Sequence, residues 1–514
     1  MLYAKSTLMR NIHYLSLIYG KYRYKNFCKC EKITFFANEL NLFRMIIRFR
    51  VKNFLSFHEE TEFSMIPGQG RLMKGHKTDP VNGVSVLKTS AIFGANAGGK
   101  SNLVKAIAFG KYMVLHGTRP DSLVDYHPFL LDEESKMSLS KIEFEIQTKG
   151  KNYAYGFEFD NNEIAEEWLY EFTKRAEIRI FERKKGKFSI DYLVKRNKSE
   201  DAKQYLHFFA QSTPKNQLFL HEVFTRNITD NVEHIEDLEN VIDWFLNTLK
   251  VIFPDTPYKQ GVMLQAADDI ELKRFYAELL RYFGTGIDSI KLIGVDIEKL
   301  GVPQTLLRDI KTDMLKTKDK DAYGALSFNG ELYLVSAEGG QIRAKKLMTI
   351  HKMIGGDKDK IAMFSLNDES DGTKRLFDYI PLILDLMRGS KVFIVDEMER
   401  SLHPCLIYQI FELFLDFCSE VNSQLIVTTH ETVLMTQKLL RKDEIWFMEK
   451  STQGESSLIP LEEYKVRFDK ELRSDYLLGT YGAIPKFEFG DKLMSILRVN
   501  NDQQNDICQE KEKN

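Results

Sequence analysis

Four short stretches combine residue types that do chemistry on phosphates. Gly94-Ala95-Asn96-Ala97-Gly98-Gly99-Lys100-Ser101 has the form G-x-x-x-x-G-K-[ST]. Glycines let such a loop turn sharply and bring bare backbone N–H groups against anionic oxygens. Lys100 then carries a cation to the β- and γ-phosphates of a nucleotide, and Ser101 offers a hydroxyl to Mg2+. A helix starting there points its positive end at the anion. In Val392-Phe393-Ile394-Val395-Asp396-Glu397, four apolar residues make a buried parallel strand. Two carboxylates emerge at its C-terminal end, where open α/β sheets place ligands. Asp396 suits Mg2+, held through water, and Glu397 suits proton abstraction from an attacking water. Ser370-Asp371-Gly372-Thr373 lies 26 residues before Asp396 and opens an amphipathic helix. A Ser–Gly pair there is also an ordinary N-cap. Leu425-Ile426-Val427-Thr428-Thr429-His430 is a second buried strand, ending 33 residues after Glu397 in a histidine. A lone histidine at a strand end is most often structural.

The elements that must position these residues are legible around them. Met45 to Phe63 reads as strand, turn, strand, and Val84 to Phe93 as a short apolar strand before the Gly-rich turn. A helix follows from Lys100 to about Leu115. Ile142, Phe144 and Ile146 alternate with polar residues, as do Tyr153, Tyr155, Phe157 and Phe159 after a Lys149-Gly150 turn. These predict antiparallel hairpins. Over 200–285 the spacing turns helical: Ile235, Leu238, Val241, Ile242, Phe245 and Leu249, then Leu272, Phe275, Tyr276 and Leu279. Strands return after Lys320, followed by a strand–helix series to about Pro485. No heptad register is sustained.

Composition bounds the function. The 514 residues are 43% hydrophobic and 28% charged, a globular composition with a full-sized core. Lys and Arg number 72 against 74 Asp and Glu, so a generally basic DNA-coating protein is excluded. Residues 1–44 hold eight Lys/Arg and two Asp/Glu, a net charge of +6, which leaves 64 against 72, or −8, for the rest. Residues 1–44 read as an unstructured extension or a mis-assigned start, with Met45 opening the first strand. No apolar run nears the roughly 18 residues of a membrane span. Five cysteines, odd in number and badly spaced for disulfides, fit a reducing cytoplasm.

Taken in order, phosphate loop, Ser-x-Gly helix start, apolar strand with Asp-Glu, and strand with terminal His resemble the ABC-type ATPase superfamily of SMC and RecF heads and OLD-like ATPases. A closer resemblance, to RloA-like and abortive-infection ATPases of phage defence, covers nearly all of 45–490. It rests on Val51-Lys52-Asn53-Phe54-Leu55-Ser56-Phe57, on Asp368 to Arg375, on Asp396-Glu397-Met398-Glu399-Arg400-Ser401-Leu402-His403-Pro404, and on Tyr476 to Pro485. The resemblance implies an α/β fold, an ABC-type P-loop ATPase head: a mixed central sheet with flanking helices, an antiparallel β subdomain and a helical insertion. The N-terminal lobe would span 45–200, the insertion 201–320, the C-terminal lobe 321–490 and a polar tail 491–514. ATP and Mg2+ are the implied cofactors. Ser370, Gly372 and Thr373 would contact the γ-phosphate held by an opposite subunit, Glu399 to Pro404 would form the D-loop, and His430 the switch histidine. Two chains apposed head to tail, as a homodimer or within a higher oligomer, would then share composite ATP sites. No convincing Q-loop glutamine is found; Gln147, Gln211 and Gln217 are the weak candidates.

The 70 residues between His430 and Asn500 cannot hold a further toprim nuclease domain, and neither a Cys-x-x-Cys hook nor a long coiled coil is present. An effector activity would therefore come from a separately encoded, nuclease-like partner. Two readings follow: a cytoplasmic ATPase sensor in an anti-phage pair, or a RecF/SMC-like DNA-binding clamp in repair or chromosome maintenance, with nucleic acid as its partner. The net negative body and the lack of arms favour the first.

Overall fold

A computed structural model describes residues 43–484, except positions 71, 120, 227, 229–230, 257, 259–269, 317–322, 339–340, 355–359 and 465–470. The polar tail, and the N-terminal extension up to residue 42, lie outside the described residues.

The chain opens with β1 (Met45–Lys52), β2 (Thr61–Ser64), β3 (Thr89–Gly94) and α1 (Lys100–His116). Five antiparallel strands follow: β4 (Ser140–Thr148), β5 (Lys151–Phe159), β6 (Ile164–Phe172), β7 (Glu177–Lys184) and β8 (Lys187–Ser189). Next come α2 (Asp191–Arg196), α3 (Glu200–Ser212), α4 (Phe219–Arg226), α5 (Glu236–Asp243), β9 (Leu249–Ile252), α6 (Ile270–Tyr282), β10 (Ile287–Val295) and α7 (Gln304–Lys316). A second antiparallel group holds β11 (Tyr323–Phe328), β12 (Glu331–Glu338), β13 (Gln341–Lys352) and β14 (Ile361–Ser365). The chain then alternates: α8 (Asp371–Arg388), β15 (Val392–Val395), α9 (Pro404–Phe417), β16 (Gln424–Thr429), β17 (Ile445–Lys450), β18 (Ser456–Pro460) and α10 (Leu472–Leu477).

Three sheets result. The central one has the order β18-β17-β3-β16-β15-β9 and is parallel throughout except for β18. Its strands alternate between two cores. Ile92, Val392, Ile394, Ile426, Trp446 and Met448 face one core; Phe93, Phe393, Val395, Leu425, Val427 and Phe447 face the other. That period of two is what a sheet buried on both faces demands. The first core is closed by α1 and the seven-stranded antiparallel sheet β2-β1-β4-β5-β6-β7-β8, the second by α8 and α9. The buried Gln424 amide joins the two sheets: it accepts from Ile46 N at 2.9 Å and donates to Ile46 O at 3.0 Å and Leu87 O at 2.7 Å. The third sheet, β10-β13-β12-β11 with β14 beside β13, leads directly into α8.

The structure amends three expectations. Residues 201–320 are not purely a helical insertion, because β9 pairs in parallel with β15 and forms an edge of the central sheet. Leu249, counted in a helical stripe, opens that strand; α5 stops at Asp243 and a π-turn over Trp244–Thr248 makes the change. The strand expected from Val84 begins only at Thr89, the preceding residues making isolated bridges Val81↔Val84 and Lys77↔Leu87. Periodicity finds these stretches apolar, but the pairing partner that sets their ends is remote in sequence.

Candidate functional site

The parallel order brings the carboxyl ends of β3, β16, β15 and β9 to one edge, and the sequence-predicted groups cluster there. The phosphate loop leaves β3 at Gly94 and re-enters helix at Lys100. Gly98 N closes onto Ala95 O at 3.1 Å, and Ala97 and Gly99 take φ of 61° and 116°. A Cβ on Gly99 would stand 2.2 Å from Ser456 Oγ, so neither the backbone angle nor the space admits a side chain.

Lys100 is buried and folded back on its own loop. Its Nζ donates to Gly94 O at 2.8 Å and lies 2.9 Å from His430 Nε2. With the lysine charged, Nε2 is the acceptor, which puts the imidazole proton on Nδ1. Burial pulls the Lys100 ammonium down to about 8, against the opposing pull of Glu399, Asp396 and Glu397. Burial, and next the Lys100 cation, likewise hold His430 below its ordinary value, so the ring is neutral in this arrangement.

Asp396 and Glu397 follow β15 directly. Thr428 on the neighbouring β16 organises both: its buried hydroxyl donates to Asp396 Oδ1 at 2.6 Å and accepts from Glu397 N at 2.9 Å. Glu397 sits at φ 46°, a left-handed conformation that costs a non-glycine residue roughly 1–3 kcal/mol and persists only when neighbours hold it. Glu399 completes the group, accepting from His430 N at 2.5 Å through Oε1, while its Oε2 is buried without a partner.

Ser370, Gly372 and Thr373 stand at the start of α8. Ser370 Oγ accepts from Thr373 N at 3.1 Å and lies 2.9 Å from Thr373 Oγ1, the N-cap that the sequence allowed. A Cβ on Gly372 would meet Ser401 O at 2.8 Å, so this helix start packs on the 399–404 segment of the same chain. Tyr379, two turns on, donates to Met398 O at 3.0 Å. Among the described residues, no hydrogen bond joins Ser370–Thr373 to the phosphate loop.

Gln147, Gln211 and Gln217 lie away from the site. Gln147 donates to Val84 O at 2.9 Å, Gln217 accepts from Thr118 N at 2.9 Å, and Gln211 is exposed. What emerges beside Asp396 from β9 is Phe253-Pro254-Asp255, and Asp255 pairs with Arg400 at 2.7 Å. Sequence reasoning also missed Thr428 as an organiser and Ser456, whose hydroxyl donates to Gly98 O at 2.8 Å. Glu399 carried a signal: it is the third carboxylate in a run of four residues. Ser456 carried none, because it lies 358 residues from its partner.

Among the described residues no cluster of three or more His, Cys, Asp or Glu side chains could hold a metal by itself. Ser101 and Asp396 supply hard oxygen donors, and the unpartnered Glu399 Oε2 shows an acceptor excess beside them. That donor set fits Mg2+, which is commonly held by one or two carboxylates with substrate phosphates and water. No described helix is long and apolar enough to cross a membrane.

No curated protein matches the sequence. Among solved structures, the chain is similar to the SMC head domain from Thermotoga maritima at 12% identity and TM-score 0.32, covering 81% of this chain and 98% of that one. It is also similar to an Smc head bound to the C-winged helix domain of ScpA, at 12% identity, TM-score 0.37 and coverages of 81% and 99%. A third is the Smc head domain with an extended coiled coil bound to the C-terminal domain of ScpA from Pyrococcus furiosus, at 13%, 0.35, and 82% and 97%. The topology itself, a parallel core carrying a phosphate loop with an antiparallel sheet packed on one face, is that of an ABC-type P-loop head. The family model described as "AAA domain, putative AbiEii toxin, Type IV TA system" matches residues 90–436, from the strand before the phosphate loop to just past His430. With that match spanning most of its length, the chain belongs to this family of AAA domains.

Proposed function

We propose that the chain binds ATP with Mg2+ and hydrolyses it in sites shared between two copies apposed head to tail, and that this cycle regulates a separately encoded, nuclease-like effector in phage defence. The observation that carries the reading is the convergence of Lys100, Asp396, Glu397, Glu399 and His430 on one edge of a parallel sheet. Phosphates entering the loop compete for the Lys100 ammonium, which then leaves Gly94 O and His430. The released His430 can donate to the γ-phosphate from Nε2 only once that nitrogen carries a proton, taken up from solvent or moved there by a change of tautomer. Ser101 and Asp396 would hold Mg2+, which would supply charge neutralisation to the nucleotide phosphates. Glu397, aimed by Thr428, takes the proton of the attacking water.

Ser370 at a helix start offers a hydroxyl and a positive helix end to an anion, yet its own hydrogen bonds stay within α8. A second copy presenting its phosphate loop would supply the missing anion, giving two composite sites. The defence role is supported by the family description.

The test is ATP-driven association. Ser370→Arg places a cation and bulk where the partner's γ-phosphate docks, so ATP binding should survive while the ATP-induced rise in mass, followed by light scattering, disappears. Association equal to wild type would reduce Ser370 to a helix cap and remove the shared site. Copurification with the neighbouring gene product tests the effector; recovery of replication proteins or DNA instead would favour the clamp.

A further inference from the structure

Two of the sheets end at one groove. β2 closes the seven-stranded sheet and β18 closes the central one. Among the described residues β2 pairs with β1 alone and β18 with β17 alone. Both strands line a groove of about 460 Å³, β2 through Thr61, Glu62 and Ser64 and β18 through Ser457, Leu458 and Pro460. A sheet edge with no strand beyond it is a template for an added extended segment.

The groove is acidic. Glu60, Glu62, Asp443, Glu462 and Glu463 line it, and no Lys or Arg does. The cations paired with Glu60, Glu62 and Asp443, namely Lys141, Arg50 and Arg441, stand outside its lining. Burial, and next the Asp443 carboxylate, hold Glu462 above its ordinary value against the Arg441 and Lys442 cations, so this corner is short of positive charge. A second feature points to a ligand independently. Trp446 also lines the groove, only 6% exposed, with the Phe63 ring edge-on at 5.4 Å. Its indole N–H is buried without an acceptor among the described residues. Buried donors are nearly always paired, so this one marks where an incoming carbonyl would bond.

We propose that this groove is the docking site for a basic stretch of the chain's own N-terminal extension, Lys21-Tyr22-Arg23-Tyr24-Lys25. Residues 1–42 hold seven Lys/Arg and two Asp/Glu, a net charge of +5, and this stretch is their densest run of cations. In an extended segment successive side chains face opposite sides, so Lys21, Arg23 and Lys25 present their charges together and the two tyrosines form the other side. A backbone carbonyl of the segment accepts from Trp446 Nε1. The reach is ample. Ser64 of the groove pairs with Arg48, so the groove lies beside the first residues of β1, and the 18 residues from Lys25 to Phe43 span up to about 60 Å. The inference does not depend on the ATPase reading.

Carbodiimide joins an ammonium to a carboxylate only where the two touch, so it reads the docked pairs directly. In the full chain at dilute concentration, mass spectrometry should find Lys21 or Lys25 linked to Glu462 or Glu463. Glu462→Lys with Glu463→Lys should cut the yield of those links about tenfold or more, since like charges then face each other. Lys21→Glu with Arg23→Glu and Lys25→Glu should do the same. These substitutions lie outside the described residues, so they test the pairing even if the groove variants fold poorly. Combining the two sets should bring the links back between the same positions with ammonium and carboxylate exchanged. No links in the wild-type chain, links that survive either reversal, or no recovery on combination would overturn the docking. Links from Lys21 and Lys25 spread over carboxylates outside the groove, or joining isotopically distinct copies, would overturn it equally.

Discussion

Replacing Thr428 by Val keeps the volume of a fully buried side chain and deletes one oxygen. That oxygen bonds Asp396 Oδ1 at 2.6 Å and Glu397 N at 2.9 Å. A bond to an ionised carboxylate contributes about 1.5–3 kcal/mol and one to a neutral amide about 1, so the gross loss is about 2–4 kcal/mol. Glu397 recovers part of this by relaxing from its left-handed φ of 46°, a strain of roughly 1–3 kcal/mol. The net cost is therefore about 1–2 kcal/mol, and the relaxation itself moves the base away from the attacking water. Two assays read the two consequences. Urea unfolding of the nucleotide-free protein should shift its midpoint down at constant slope. Steady-state hydrolysis should fall by about 10²-fold, the scale of a displaced general base. ATP affinity should hold, since Lys100 and the phosphate loop are untouched. Thr428→Ser, which retains the oxygen, should recover most of the turnover. Wild-type stability and turnover in Thr428→Val would refute the claim that this hydroxyl aims the carboxylates.

Lys100 titrates at about 8 in the folded protein against an ordinary value of 10.5. Between those pH values the unfolded chain holds a proton that the folded one lacks, so stability should rise with pH across that window, and Lys100→Met should abolish the rise in unfolding midpoint from pH 7.5 to 9.5. ATP affinity should move the opposite way, falling above about pH 8 as the free protein's ammonium is lost. Glu397→Gln should bind ATP normally yet turn over about 10²–10⁴ times more slowly, leaving a long-lived closed assembly; wild-type hydrolysis by that variant removes Glu397 from its role. Glu399→Gln replaces an acceptor facing His430 N by an amide that can present either atom; turnover should drop with ATP affinity within a few-fold, and Glu399→Asp should not rescue it because its carboxylate is one methylene short. Unaltered turnover in Glu399→Gln would leave that carboxylate without a part in holding His430.

The sequence was enough for the local structure that contiguous pattern encodes. A phosphate loop is a contiguous run whose glycines, lysine and serine act through adjacent backbone, so Gly94–Ser101 was legible, as were the strand ending in Asp396-Glu397 and the amphipathic helix capped by Ser370. Helical and strand periods marked α1, β4, β5 and α8 because each buries one face against a core. Several resembling segments had structural uses that sequence could not assign. Tyr476 and Tyr481 stack on Phe447 at 5.7 and 5.3 Å, and Asn53 clamps a loop more than 70 residues away. The tertiary structure alone decided what depends on distant partners. It made 249–252 a strand of the central sheet by giving it β15 to pair with, discarded Gln147 and Gln217 by placing their amides on other backbone and Gln211 by leaving it exposed, and folded Lys100 onto His430, 330 residues on. Pattern reports which residues want burial or anions. Which partner answers each of them is set by packing between segments that are neighbours only in space.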